Sequence, residues 1–96
     1  MVKSEYMKEP VNRDKFNLYS AILEASRKRS ASMTELMYRS MTSNDQIKAY
    51  LDHLLRAGLL GYDDNDSRAR YRITGKGEDF LTCHAEITAM VPDARI

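Results

Sequence analysis

Residues Asn44 to Ala57 set the first constraint on this chain. Ile47, Tyr50, Leu51, Leu54 and Leu55 share one face of an amphipathic helix, with Ser43 or Thr42 placed to cap its start and Gly58 to end it. Just beyond that glycine the period changes. Leu60 and Tyr62 alternate, Asp63-Asp64-Asn65-Asp66-Ser67 supplies turn chemistry, and Tyr71 and Ile73 alternate again. A switch from helical to two-residue periodicity, interrupted by a polar turn, predicts a helix running directly into a β-hairpin. Helix and hairpin must then bury their apolar faces against one shared layer, which leaves few arrangements open to a chain of 96 residues.

The remaining segments supply that layer. Leu18, Tyr19, Ile22 and Leu23 form a broad apolar face on a helix that starts near Asn12 or Asp14 and runs out at Arg27-Lys28-Arg29, where cations suit the negative end of the dipole. Ser30-Ala31-Ser32 is long enough only for a stub of strand. Thr34 is expected to cap a short helix, Glu35–Arg39, with Met33 and Tyr38 as its hydrophobic staple, and Ser40-Met41-Thr42 makes a tight connection. Thr74 caps a last helix whose Phe80, Leu81, His84, Ile87 and Val91 step by threes and fours until Pro92 stops it. The expected organisation is a loose arm (1–11), one domain (12–74), a C-terminal helix (75–91) and a tail (92–96).

The expected fold class is therefore mainly α with a small β-hairpin (α+β). Three helices followed by a hairpin is the order of a winged helix-turn-helix, with a further helix at the C-terminus. The residues also resemble a family. Tyr50-Leu51, Leu54 and Gly58-Leu59-Leu60, then Tyr71, Ile73-Thr74-Gly75-Lys76-Gly77 and Phe80-Leu81, are similar to the small archaeal-type winged-helix regulators. Their pattern is a helix ending in YLxxLxxxGLI, a hairpin, and Y-x-[IL]-T-x-K-G-x-x-[FL]-L; the likeness spans roughly residues 15–82. It implies double-stranded DNA binding in transcription control, as a homodimer through a C-terminal helix.

On a helical wheel, burying Ile47, Leu51 and Leu54 turns Asp45, Ala49, Asp52 and Arg56 outward, with Lys48 and His53 beside them. Ser43, Asn44 and Gln46 in the first turn can donate to phosphates or read base edges in the major groove, and Ala49 can touch a thymine methyl. Arg68 and Arg70 on the descending strand of the wing, with Arg39 at the end of the second helix, are the expected backbone contacts. Phe80, His84, Ile87 and Val91 form a candidate dimerisation seam.

Charge distribution opposes part of this reading. Fifteen basic against fourteen acidic residues give a net +1, but residues 31–66, which contain the reading helix, hold three basic and six acidic residues. Acids on that helix and at the wing tip cost affinity for a phosphate-lined groove. The competing reading is a protein-interaction module that keeps the fold and has lost DNA binding. Met33, Met37 and Met41 read as core filler rather than a ligand cage, and Tyr50, Tyr62 and Tyr71 as inward-facing.

Other classes find no support. Cys83 is the single cysteine, so neither an internal disulfide nor a thiolate metal site is expected, and a redox role would need a partner thiol from elsewhere. Cys83 and His84 are adjacent on a helix and diverge by about 100°. No glycine-rich phosphate loop, paired carboxylates or metal-ligand cluster points to catalysis or a cofactor. No apolar run reaches the length of a membrane span, and a cytoplasmic location is the expectation.

Overall fold

The computed structural model describes residues 15–63 and 69–90. Helices α1 (Lys15–Ala25), α2 (Met33–Ser40) and α3 (Asn44–Ala57) precede strands β1 (Leu60–Tyr62) and β2 (Tyr71–Ile73), and α4 (Gly75–Met90) follows. The expected cap of α1 and the expected arm and tail lie outside the described residues. Ile22 and Leu23 of α1, Leu36 of α2, and Ile47 and Leu54 of α3 are completely or almost completely buried, and Leu60 and Leu81 close the core from β1 and α4.

The hairpin is antiparallel, pairing Leu60 with Ile73, Gly61 with Arg72 and Tyr62 with Tyr71. The stub at Ala31 adds one rung on the other side of β2, exchanging hydrogen bonds of 2.9 and 2.8 Å with Tyr71. Helix α1 ends at Ala25, two residues before the basic run, because Ser26 turns inward: its buried hydroxyl donates to the carbonyls of Ile22 and Leu23. The Ser26 backbone amide bonds the same two carbonyls at 3.2 Å, so main chain and side chain together close this buried helix end.

Two expectations about α2 are corrected. Its cap is Ser32, not Thr34, and the helix starts at Met33. Ser32 Oγ accepts from the Glu35 amide (3.2 Å) while Glu35 Oε1 accepts from the Ser32 amide (2.9 Å), a reciprocal capping box that satisfies two amides at once. Met33 thus lies inside the helix, the staple with Tyr38 does not form, and Tyr38 is 72% exposed. Tyr62 is also corrected: it is 62% exposed, although Leu60 on the same face is buried, because the hairpin runs past the edge of the core.

The junction of α3, β1 and α4 explains the Thr74-Gly75-Lys76-Gly77 run. Thr74 Oγ1 donates to the Gly58 carbonyl (2.7 Å) and accepts from the Gly77 amide (3.0 Å), joining the end of α3 to the start of α4. Lys76 Nζ caps α3 by donating to the Ala57 carbonyl at 2.8 Å. Gly77 is required by space, since a Cβ there would run into the Leu59 carbonyl oxygen and lie 2.6 Å from Ile73 Cγ1.

Candidate nucleic-acid interface

The α2–turn–α3 unit is built from two helices with matching ends. Each opens with a capping box, Ser32/Glu35 on α2 and Ser43/Gln46 on α3. Each closes with a left-handed residue, Met41 at φ 59° and Gly58 at φ 79°. The following amides, of Thr42 and Leu59, return to the carbonyls of Met37 and Leu54 at 3.1 and 3.0 Å. These paired hydrogen bonds fix where each helix stops, and so fix how α3 is presented.

Along α3, Ile47, Leu51 and Leu54 are buried, and Asn44, Asp45, Lys48, Ala49, Asp52 and Arg56 are exposed on the opposite side. Ser43 and Gln46 are occupied in part by capping: Ser43 Oγ accepts from the Gln46 amide and Gln46 Oε1 from the Ser43 amide, at 3.1 and 2.9 Å. Arg56 pairs with Asp52 at 3.0 Å, so this outward acid carries its own counter-ion. The exposed face holds two acids and two bases and is locally neutral. The acidic surplus of the middle segment therefore does not fall on the reading face.

The wing arginines divide. Arg68 lies outside the described residues. Arg70 is half-buried and turned toward α2: Nε donates to Ser30 Oγ (3.0 Å), and Nη2 to the Ser30 carbonyl (2.9 Å) and Glu35 Oε1 (3.2 Å). The hydrogen bond from the Ser32 amide, opposed by burial and helped by the nearby Arg70, Arg29 and Arg39 guanidinium groups, holds the Glu35 carboxyl below the usual range. Arg72 pairs with Asp63 at 3.7 Å. Arg39 is exposed at the end of α2 beside Glu24, while Arg27 of the basic run pairs with Glu24 and with Glu78 of α4 at 3.8 and 3.1 Å.

Three exposed residues were not expected on this side. Tyr38 and Met41 flank the turn leading into α3, Met41 being 88% exposed, and Tyr62 stands over a groove of about 220 Å³ between α3 and the hairpin, lined also by Lys48, Asp52 and Leu55. The signal for Tyr38 was present: Ser32-Met33-Thr34-Glu35 spells a capping box, and starting α2 there turns Tyr38 outward. Tyr62 had no such signal, because alternation does not tell where a core ends.

On the opposite flank, aromatic rings link three helices. Tyr19 Oη lies 2.8 Å from His53 Nδ1, and Tyr19 meets Tyr50 edge-on at 5.6 Å. Burial, and then the neighbouring Tyr50, raises the Tyr19 phenol above its ordinary value. Phe80 packs near Phe16 (6.1 Å) and stacks on His84 (6.0 Å, 10°). The expected seam on α4 is thus split. Phe80 and His84 are half-buried, Ile87 is 64% exposed, and Val91 lies outside the described residues. The exposed apolar stripe on α4 is Cys83, Ile87 and Met90.

No group of His, Cys, Asp and Glu side chains able to hold a metal occurs among the described residues, and none of their helices is long and apolar enough to cross a membrane. No curated protein matches the sequence. Among solved structures, the chain is similar to Sso10a-2, a DNA-binding protein from Sulfolobus solfataricus, with a TM-score of 0.71, 23% identity and 81% of each chain covered. It is also similar to the MarR family transcriptional regulator SPO1453 from Silicibacter pomeroyi, with a TM-score of 0.55 and 14% identity over 96% of this chain and 65% of that one. At these identities the likeness is one of fold. The family model for the winged helix-turn-helix matches residues 12–91, spanning the helices and the hairpin. Domains of this kind are binding modules rather than enzymes. With that match over most of its length, the chain belongs to the winged helix-turn-helix family.

Proposed function

We propose that this protein is a sequence-specific, double-stranded DNA-binding transcriptional regulator that acts as a homodimer. The observation that carries the reading is the presentation of α3: capped at both ends, buried along one side, and, among the described residues, left uncovered along Asn44, Lys48, Ala49 and Arg56. A helix so presented next to a hairpin fits the major groove, with the hairpin over the flanking backbone. Both solved structures named above are described as DNA-binding or transcription-regulating proteins, which supports the same reading.

Ser43, Asn44, Gln46 and Ala49 are the proposed groove contacts, and Lys48, Arg56, Arg39 and Arg68 the proposed phosphate contacts. Arg70 contributes chiefly by fastening the hairpin to α2, given its bonds to Ser30 and Glu35. The second copy is proposed to pack on α4, where Ile87 and Met90 are exposed on a helix whose last turns meet little of the core. Two-fold symmetry then sets two α3 helices about 34 Å apart on one face of the duplex. Selection of bound sequences from a random duplex library tests this. An enriched site with inverted half-sites is expected, and recovery of no common sequence would contradict sequence-specific binding.

A further inference from the structure

Lys48, Leu51, Asp52 and Leu55 follow one another by threes and fours along α3 and form the edge of that helix nearest the hairpin. Across a groove of about 220 Å³ they face Tyr62 of β1 and Tyr71 of β2. Leu51 is buried and Leu55 and Tyr71 are half-buried, so the exposed members are Lys48, Asp52 and Tyr62. The Tyr62 ring packs on that of Tyr71, with centroids 5.4 Å apart and planes inclined by 37°, which limits where its phenol can point. Asp52 is paired with Arg56 at 3.0 Å, whereas neither the Tyr62 hydroxyl nor the Lys48 ammonium has a partner among the described residues.

We infer that one sugar-phosphate strand of the duplex runs over this groove and that the Tyr62 phenol donates a hydrogen bond to one of its phosphates. This rests on the DNA-binding reading and adds to it a contact made by an uncharged group. The major groove and the neighbouring minor groove are separated by a single strand, and a helix in the first with a hairpin beside it straddles that strand. The strand therefore meets what is exposed between α3 and β1, and two donors stand there, Lys48 from the helix and Tyr62 from the hairpin. The turn that follows β1 is unsuited to the task, since it carries Asp63, Asp64 and Asp66. The acid next to Tyr62 is withdrawn: the Asp63 side chain is 10% exposed and lies 3.7 Å from Arg72. A phenol differs from a lysine in one measurable respect. It displaces no counter-ion, so it adds affinity without adding to salt dependence.

Anisotropy titrations of the full chain with a library-selected duplex and an unrelated duplex, repeated across a range of salt concentrations, test the inference on wild type, Tyr62→Phe and Lys48→Met. Tyr62→Phe keeps the ring on Tyr71 and should melt at the wild-type temperature. Its affinity should fall by about tenfold on both duplexes, because a hydrogen bond to a charged phosphate is lost whatever the sequence. The slope of log affinity against log salt should stay at the wild-type value. Lys48→Met should also weaken binding to both duplexes, but with a slope smaller by roughly 0.9 for each phosphate contact removed. Wild-type affinity in Tyr62→Phe overturns the inference. So does a loss confined to the selected duplex, which would put the phenol on a base, or a reduced salt slope in Tyr62→Phe, which would mean that charged contacts had moved. An unchanged slope in Lys48→Met would take the strand away from this groove. A wild type that binds neither duplex overturns the DNA-binding reading itself.

Discussion

Met41 holds a left-handed conformation at φ 59° in the turn between α2 and α3, although the residue is 88% exposed and meets little among the described residues that would reward the strain. That conformation costs an L-residue roughly 1–2 kcal/mol relative to the right-handed region, and glycine avoids the cost at some expense in chain entropy. Met41→Gly should raise stability by up to about 1 kcal/mol, read as a higher midpoint in urea unfolding. Gly77 is the opposite case. Gly77→Ala forces a methyl into the Leu59 carbonyl and Ile73 and should cost about 2 kcal/mol or more. Glu35 brings a pH dependence. Its carboxyl is held below the ordinary value of 4.5, first by the Ser32 amide and then by the nearby arginines. A lowered folded value means stability that is complete above the unfolded value and is lost as pH falls through the folded one. Glu35→Gln should therefore flatten the acid limb of the stability profile, as followed by circular dichroism during acid titration.

The helices of the central unit owe their limits to short-range chemistry, which is why most of their ends were legible. A capping hydroxyl, Ser43 or Thr42, and a left-handed glycine, Gly58, are the expected bounds of α3; Ser43 and Gly58 are found. Thr34, the expected cap of α2, has no acid or amide three residues on, whereas Ser32 has Glu35 there to return the bond. Ser43→Ala should lower stability by about 1 kcal/mol by exposing the first turn of α3. Asn44→Ala, outside the capping box, should leave stability unchanged and act on DNA affinity alone. The two substitutions, compared by melting temperature and by duplex titration, separate helix support from DNA contact along one turn.

Across the molecule, element order could be read from the chain because Gly58 and the Thr74-Gly75-Lys76-Gly77 run mark helix ends by local chemistry. The structure gives that run a structural role, the joining of α3 to α4. Arg70 was illegible for the opposite reason: its partners, Ser30 and Glu35, lie 40 and 35 residues upstream, and no local pattern announces them. Exposure at Tyr62 likewise depends on where the core stops. The split of the α4 seam was illegible too: Phe80 meets Phe16 of α1, 64 residues upstream, while Ile87 and Met90 are exposed. If α4 joins two copies, Ile87→Glu should convert a dimer to a monomer in sedimentation equilibrium with its melting transition retained, while a wild type that is monomeric throughout would remove α4 from the account.

The central claim is that α3 and the hairpin present a surface to duplex DNA. The most direct test is the affinity of the wild-type chain for duplex DNA between about 50 and about 200 mM salt, where each neutralised phosphate contributes roughly 0.9 to the slope of log affinity against log salt. The account predicts binding that weakens linearly on that scale, with a slope worth several phosphates per dimer. Failure to bind any duplex at the lowest salt, or an affinity indifferent to salt, would contradict it.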